Sequence, residues 1–185
     1  MIFNKHYNLV GQHAFLSASK HHWINYDLDK LARVYTANEA AKRGNELHDF
    51  AAQAIKHGVK LRGTDTLASY VNDAIGFRMS PETVLFYSDN CFGTADAIAF
   101  RRNKLRIHDL KTGVTQSSHH QLEVYAALFC LEYRVKPFEI NTELRIYQND
   151  EVRIYEGDPD AIIHIMDQIV MFDKWINGVR RESLL

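Results

Sequence analysis

The chain has 185 residues, 46% of them hydrophobic, which is enough for one globular domain with a sizeable core. Its 22 basic and 23 acidic residues leave a net charge of −1, so no strong global field draws it to nucleic acid, and any polyanion must be held by local cations or a metal. No apolar run approaches the roughly 18 residues of a membrane span, which excludes a membrane partner, and two cysteines, Cys91 and Cys130, are too few for a disulfide framework.

The opening "MIFNKHYNLVGQHAF" lacks the long apolar stretch of a secretory signal, so a cytoplasmic location is the expectation. A helical turn is expected near "LSASKHHWINY", then a helix over Leu28 to Tyr35. A longer helix follows over "ANEAAKRGNELHDFAAQAIKHG", with Gly58 as its stop. Another helix covers "TLASYVNDAIG". Strands run through "ETVLFYS", "FGTADAIAF" and "LRIHDLK". A helix over "HHQLEVYAALFCLEYR" comes next, then strands over "FEINTELRIYQ" and "EVRIYEG". Asp158-Pro159 reads as an N-cap with proline at the first position of a final helix, "PDAIIHIMDQIVMFDKWING". Pro81 and Pro137 each precede a strand-like run. With no repeat or linker, the expectation is a single α/β domain over residues 1–185, a mixed sheet covered on its faces by helices.

Two strands carry a carboxylate in an apolar row. In the first, Phe92, Thr94, Asp96, Ile98 and Phe100 share a face, and Gly93 and three alanines take the other. In the second, Leu105, Ile107, Asp109 and Lys111 share a face. A two-residue turn at Arg102 and Asn103 pairs positions that sum to 205, which sets Asp96 opposite Asp109. Like charges placed so are destabilising and call for a shared proton or a cation between them. A bulge or a three-residue loop would instead turn one Asp to solvent. An oxygen-rich pair of this kind suits Mg²⁺ or Mn²⁺. Lys111 would lie beside whatever the metal binds, placed to position an attacking water or to neutralise charge on phosphate oxygens.

On the long helix, Leu47, Phe50, Ala51, Ala54 and Ile55 form an apolar stripe, with His48 at its edge and Gly44 one turn earlier. A helical glycine costs about 1 kcal/mol relative to alanine and often marks a close approach, here one that could bring the imidazole of His48 to the sheet edge as a third metal ligand. The plainer reading is a core-edge histidine. His119 and His120, opening a later helix, are rivals that spacing does not separate from it. On that later helix Leu122, Tyr125, Ala126 and Phe129 make the packing stripe. Gln121 and Tyr125 share one surface and could bond a phosphate or orient the lysine. The basic turn "RRNKLR" reads as a solvated hairpin tip, with Arg102 roughly 20 Å from Asp96.

"GNELH", "GTAD", "HDLKTG" and "QLEVY", in this order, resemble the RecB-like branch of the PD-(D/E)XK nuclease superfamily, and especially phage exonucleases related to CRISPR-associated RecB-type nucleases. The opening "LSASKHHWINYD" is similar to the start of such phage proteins. The resemblance implies a restriction-endonuclease-like fold and a Mg²⁺- or Mn²⁺-dependent DNA exonuclease in phage recombination, replication or repair. It makes His48, Asp96, Asp109 and the carbonyl of Leu110 the metal ligands, and Asp96, Asp109, Lys111, Gln121 and Tyr125 the active-site residues. Leu110 stands where an acid is common, which removes one side-chain ligand, and Glu82 offers an extra acid. The four cysteines that hold an iron–sulfur cluster in several relatives are lacking, so none is expected. DNA is the implied partner, with a phage single-strand-annealing or recombination protein beside it, in a bacterial host cell. A structure-specific endonuclease on the same site is the alternative, as is a non-cutting nucleic-acid-binding recombination accessory module.

Overall fold

A computed structural model describes residues 4–182. Residues 1–3 and 183–185, the ends of the single domain expected from sequence, lie outside the described residues, as does the very start of the "MIF…" segment. The chain divides into two compact units, Met1–Arg43 and Gly44–Leu185, where the sequence suggested one domain. The reason lies in burial: of the described residues before Gly44, Ser17 alone is buried, so a core forms only from Gly44 onward.

In the first unit, a 3-10 turn covers Ala18–Asn25, where a helical turn was expected. Helix α1 spans Leu28–His57 without a break, its residues from Gly44 onward belonging to the second unit, whereas the sequence suggested two helices parted near Tyr35. Thr36, Ala37 and Asn38 contain no proline or glycine to interrupt it. Gly58, at φ +67°, ends it as expected.

The second unit holds the remaining elements: α2 (Thr66–Gly76), β1 (Ser80–Ser88), β2 (Cys91–Arg101), β3 (Lys104–Leu110), α3 (His120–Tyr133), β4 (Asn141–Gln148), β5 (Glu151–Glu156) and α4 (Pro159–Glu182). Asp65 caps α2 by accepting from the Ala68 N–H at 2.8 Å, and Asp158 accepts from the Asp160 N–H at 3.0 Å at the start of α4. Pro81 lies inside β1, not before it; β1 is an edge strand, where a missing N–H is tolerated. Pro137 opens a 3-10 turn, and β4 starts only at Asn141.

The five strands form one sheet in the order β1-β2-β3-β4-β5. β3 and β4 run parallel, joined through α3, and every other neighbouring pair is antiparallel. This mixed sheet flanked by helices is the α/β architecture expected from sequence. One face buries Leu105, Ile107, Leu144 and Ile146 against Leu122, Ala126 and Phe129 of α3 and Ile162 and Ile169 of α4. The other buries Ala97, Ala99, Leu110 and Tyr147 against Ala51, Ala54 and Ile55 of α1 and Tyr70, Val71 and Ala74 of α2. Phe50, assigned to the buried stripe from its spacing, is 51% exposed. Among the described residues, no helix is long and apolar enough to cross a membrane.

Candidate metal centre

The β2–β3 hairpin turns on Arg102 and Asn103, at φ +51° and +57°, and its partners sum to 205 as the two-residue turn requires. The ladder ends at Ala97↔His108, so the next step of this register holds Asp96 and Asp109. Alternation along β2 does not persist as expected. Ala95 packs in the cluster under α3 with Ile98, yet Ala97 and Ala99 pack on the opposite face. The reversal falls at Asp96. In the β1–β2 register Glu82 corresponds to Asp96; the ladder skips this pair, and Glu82 sits at φ +44°. This local irregularity in β1 places Glu82 beside Asp96.

His48, Glu82 and Asp96 each offer a ligating atom, and the three atoms lie within 4.8 Å of one another. His48 Nδ1 stands 3.4 Å from Asp96 Oδ2, which also accepts from the Leu110 N–H at 2.9 Å. Asp109 is not in this close set. Its carboxylate is 2% exposed, and its Oδ2 meets Lys111 Nζ at 3.0 Å without hydrogen-bond geometry, leaving that buried oxygen without a hydrogen-bond partner. Lys111 Nζ donates to Gln121 Oε1 at 2.9 Å, and Gln121 Nε2 donates to the Tyr125 hydroxyl at 3.1 Å. Asp109, Lys111, Gln121 and Tyr125 thus form one polar chain. His119 and His120 stand apart from it, gathered on Glu123.

Electrostatics point the same way. Burial, then the charge of Asp109, raises Asp96 above the usual carboxylate range, against the pull of His48, the Leu110 N–H and Lys111. Burial raises Asp109 despite Lys111, and burial and Asp96 raise Glu82. Three carboxyl groups are therefore short of positive charge. A buried carboxylate oxygen without a hydrogen bond, two further carboxylates and an imidazole match the donor set of a divalent cation, and the imidazole suits Mn²⁺ better than the harder Mg²⁺.

Gly44 brings α1 to this site. A Cβ there would lie 2.7 Å from Thr112 Oγ1, on the residue that follows Lys111, so the close neighbour is a side chain. Thr112→Ala should stabilise the Gly44→Ala protein by about 1–3 kcal/mol more than it stabilises the wild type. Denaturant melts of the four proteins measure that coupling; additive effects would mean that the glycine serves no packing purpose.

Sequence reading missed Gln148. At 3% exposure its Nε2 donates to the carbonyls of Gly113 at 2.6 Å and Thr115 at 2.7 Å, while its Oε1 accepts from the Ser117 N–H at 3.1 Å. Arg153 closes the clasp on Gln148 Oε1 at 2.8 Å and on the Ser117 carbonyl at 3.1 Å. The clasp fixes the segment between Lys111 and α3. A polar residue ending a buried strand, as in "LRIYQ", was the available signal. Gln148→Ala strands these groups and should cost about 1–3 kcal/mol, with amide exchange rising over residues 113–117.

No family model matches the chain, and no curated protein does. Among solved structures, the crystal structure of SSO0001 aligns at a TM-score of 0.38 and 17% identity, over 76% of this chain and 63% of that one. This chain thus spans less than two thirds of that protein, and a likeness of this size decides neither fold nor activity.

Proposed function

We propose that the protein is a Mg²⁺- or Mn²⁺-dependent deoxyribonuclease, an exonuclease of the RecB-like PD-(D/E)XK kind that hydrolyses phosphodiester bonds. The observation that carries this reading is the buried Asp109 carboxylate, ion-paired with Lys111 at 3.0 Å but without a hydrogen bond at that oxygen, on the strand next to Asp96. Asp96, Asp109, His48 and the Leu110 carbonyl would hold the cation, with Glu82 as a further acid; of these, His48, Glu82 and Asp96 bring ligand atoms within 4.8 Å of one another. When bound, the cation polarises a phosphoryl oxygen and lowers the pKa of a bound water. The residues around it supply position and charge. Lys111, held from one side by Asp109 and from the other by Gln121, keeps a fixed positive charge where a phosphate oxygen would gain negative charge. Gln121 and Tyr125 set the direction of that ammonium.

A fluorescent linear DNA and a closed circle, each with Mn²⁺ or Mg²⁺ and then with EDTA, test the proposal. Loss of the linear substrate alone, abolished by EDTA, is the expected result. Nicking of the circle would favour the structure-specific endonuclease. Binding of both substrates without cleavage would favour a non-cutting module and overturn the proposal.

A further inference from the structure

Outside the carboxylate site, the start of α3 gathers a second set of metal-ligating side chains. His119 Nε2 lies 3.5 Å from Glu123 Oε1, and His120 Nδ1 lies 2.9 Å from Glu123 Oε2. One atom from each residue falls within a common 4.8 Å. Ligands bound to zinc at about 2.0–2.2 Å in tetrahedral geometry sit about 3.3–3.6 Å apart, a spacing that His119 Nε2 and Glu123 Oε1 already have.

Three further observations favour a ligand role. Glu123 is buried at 8% exposure, yet among the described residues no lysine or arginine pairs with it; its partners are the two imidazoles. Its carboxylate is not spent on capping the helix, because the N–H groups of His120, Leu122 and Glu123 already donate to Ser118 Oγ and the His119 carbonyl. The His119 ring is held in place by stacking on Tyr155 of β5, with centroids 4.4 Å apart and planes 20° from parallel.

We propose that His119, His120 and Glu123 form a second metal site, for Zn²⁺ or a similar borderline transition-metal ion and not for Mg²⁺. Two imidazoles and one carboxylate are the donors zinc takes, whereas Mg²⁺ prefers oxygen ligands alone. The site shares no residue with the His48, Glu82 and Asp96 set and does not rest on the nuclease reading. The ion would pin the first turn of α3, the helix that presents Gln121 and Tyr125 to Lys111.

The test uses the full chain in excess Mg²⁺, which competes with Zn²⁺ for the oxygen-rich site. Zn²⁺ is titrated calorimetrically, and Co²⁺ by the visible absorption of its bound form. Wild type should bind one equivalent of Zn²⁺. Glu123→Gln and His120→Asn should each weaken it by at least the roughly 10–100-fold that losing a ligand's supporting partner costs. Cys91→Ser should leave it intact. Circular dichroism and a metal-free melt check the fold of each variant; His120, whose side chain is 76% exposed, keeps the test readable should Glu123→Gln fail to fold. No Zn²⁺ bound by wild type in excess Mg²⁺, or undiminished binding by the folded variants, would overturn the proposal and leave a hydrogen-bonded cluster only.

Discussion

Asp109→Ala is expected to abolish Mn²⁺ binding and DNA cleavage together, whereas Lys111→Ala is expected to abolish cleavage alone. The two side chains touch at 3.0 Å, so a merely structural ion pair would make their losses look alike. A metal site makes them differ. Removing Asp109 takes away a buried negative ligand whose oxygen lacks a hydrogen bond. Removing Lys111 takes away a positive charge that competes with the ion for that oxygen, so Mn²⁺ affinity should hold or rise. Cleavage by Lys111→Ala should still fall by about 10²–10⁴, the usual worth of a positioned charge-stabilising or proton-transfer group. Calorimetric Mn²⁺ titration and a nuclease assay on both folded variants decide the matter. Near-normal cleavage by Lys111→Ala would end the active-site reading of "HDLKTG".

Asp96→Asn is expected to stabilise the metal-free protein while removing its activity. Burial and the charge of Asp109 raise Asp96 above the usual carboxylate range and so favour its uncharged form. The asparagine keeps an oxygen to accept the Leu110 N–H, now 2.9 Å from Asp96 Oδ2, and carries no charge to repel Asp109 or Glu82. The gain should be about 0.5–2 kcal/mol, typical of relieving a conflict kept for function. The pH dependence has a definite sign. Folded Asp96, Asp109 and Glu82 titrate above their unfolded values, so the folded chain binds more protons in that window. Metal-free stability therefore falls as pH rises from the unfolded carboxylate range, about 4, through the raised folded values, and the penalty stays in full above them. Asp96→Asn should flatten that fall, and Mn²⁺ should restore the wild type but not the variant. Melting curves across pH, with and without Mn²⁺, measure both effects; a variant less stable than wild type at neutral pH would refute the charge conflict.

Much of the local structure could be read from the chain because it depends on near neighbours. Asp158-Pro159 starts a helix and Gly58 ends one through backbone chemistry confined to a few residues. The two-residue turn at Arg102 and Asn103 sets the hairpin register, and with it the approach of Asp96 to Asp109, because a turn of that length admits one pairing. The unbroken α1 was missed because expected helix ends rest on weak propensities, and here no strong breaker stands between Tyr35 and Gly44.

What the sequence determined by itself, then, was the order of elements, the mixed sheet under helices and the anomaly of two carboxylates in apolar rows. Tertiary structure alone decided which groups meet them. His48 rather than His119 or His120 faces Asp96 because α1 comes down on the sheet at Gly44, where a missing Cβ makes room for Thr112. Glu82 joins Asp96 through the β1–β2 register, in which the two positions correspond, and no period within β2 can show which residue of β1 lies opposite. Gln148 grips the segment after Lys111 from a strand that is distant in sequence and adjacent only through the parallel β3–β4 pairing. Hydrogen bonds and charge pairs act over a few ångströms in space, whereas periodicity in a sequence reports only along the chain.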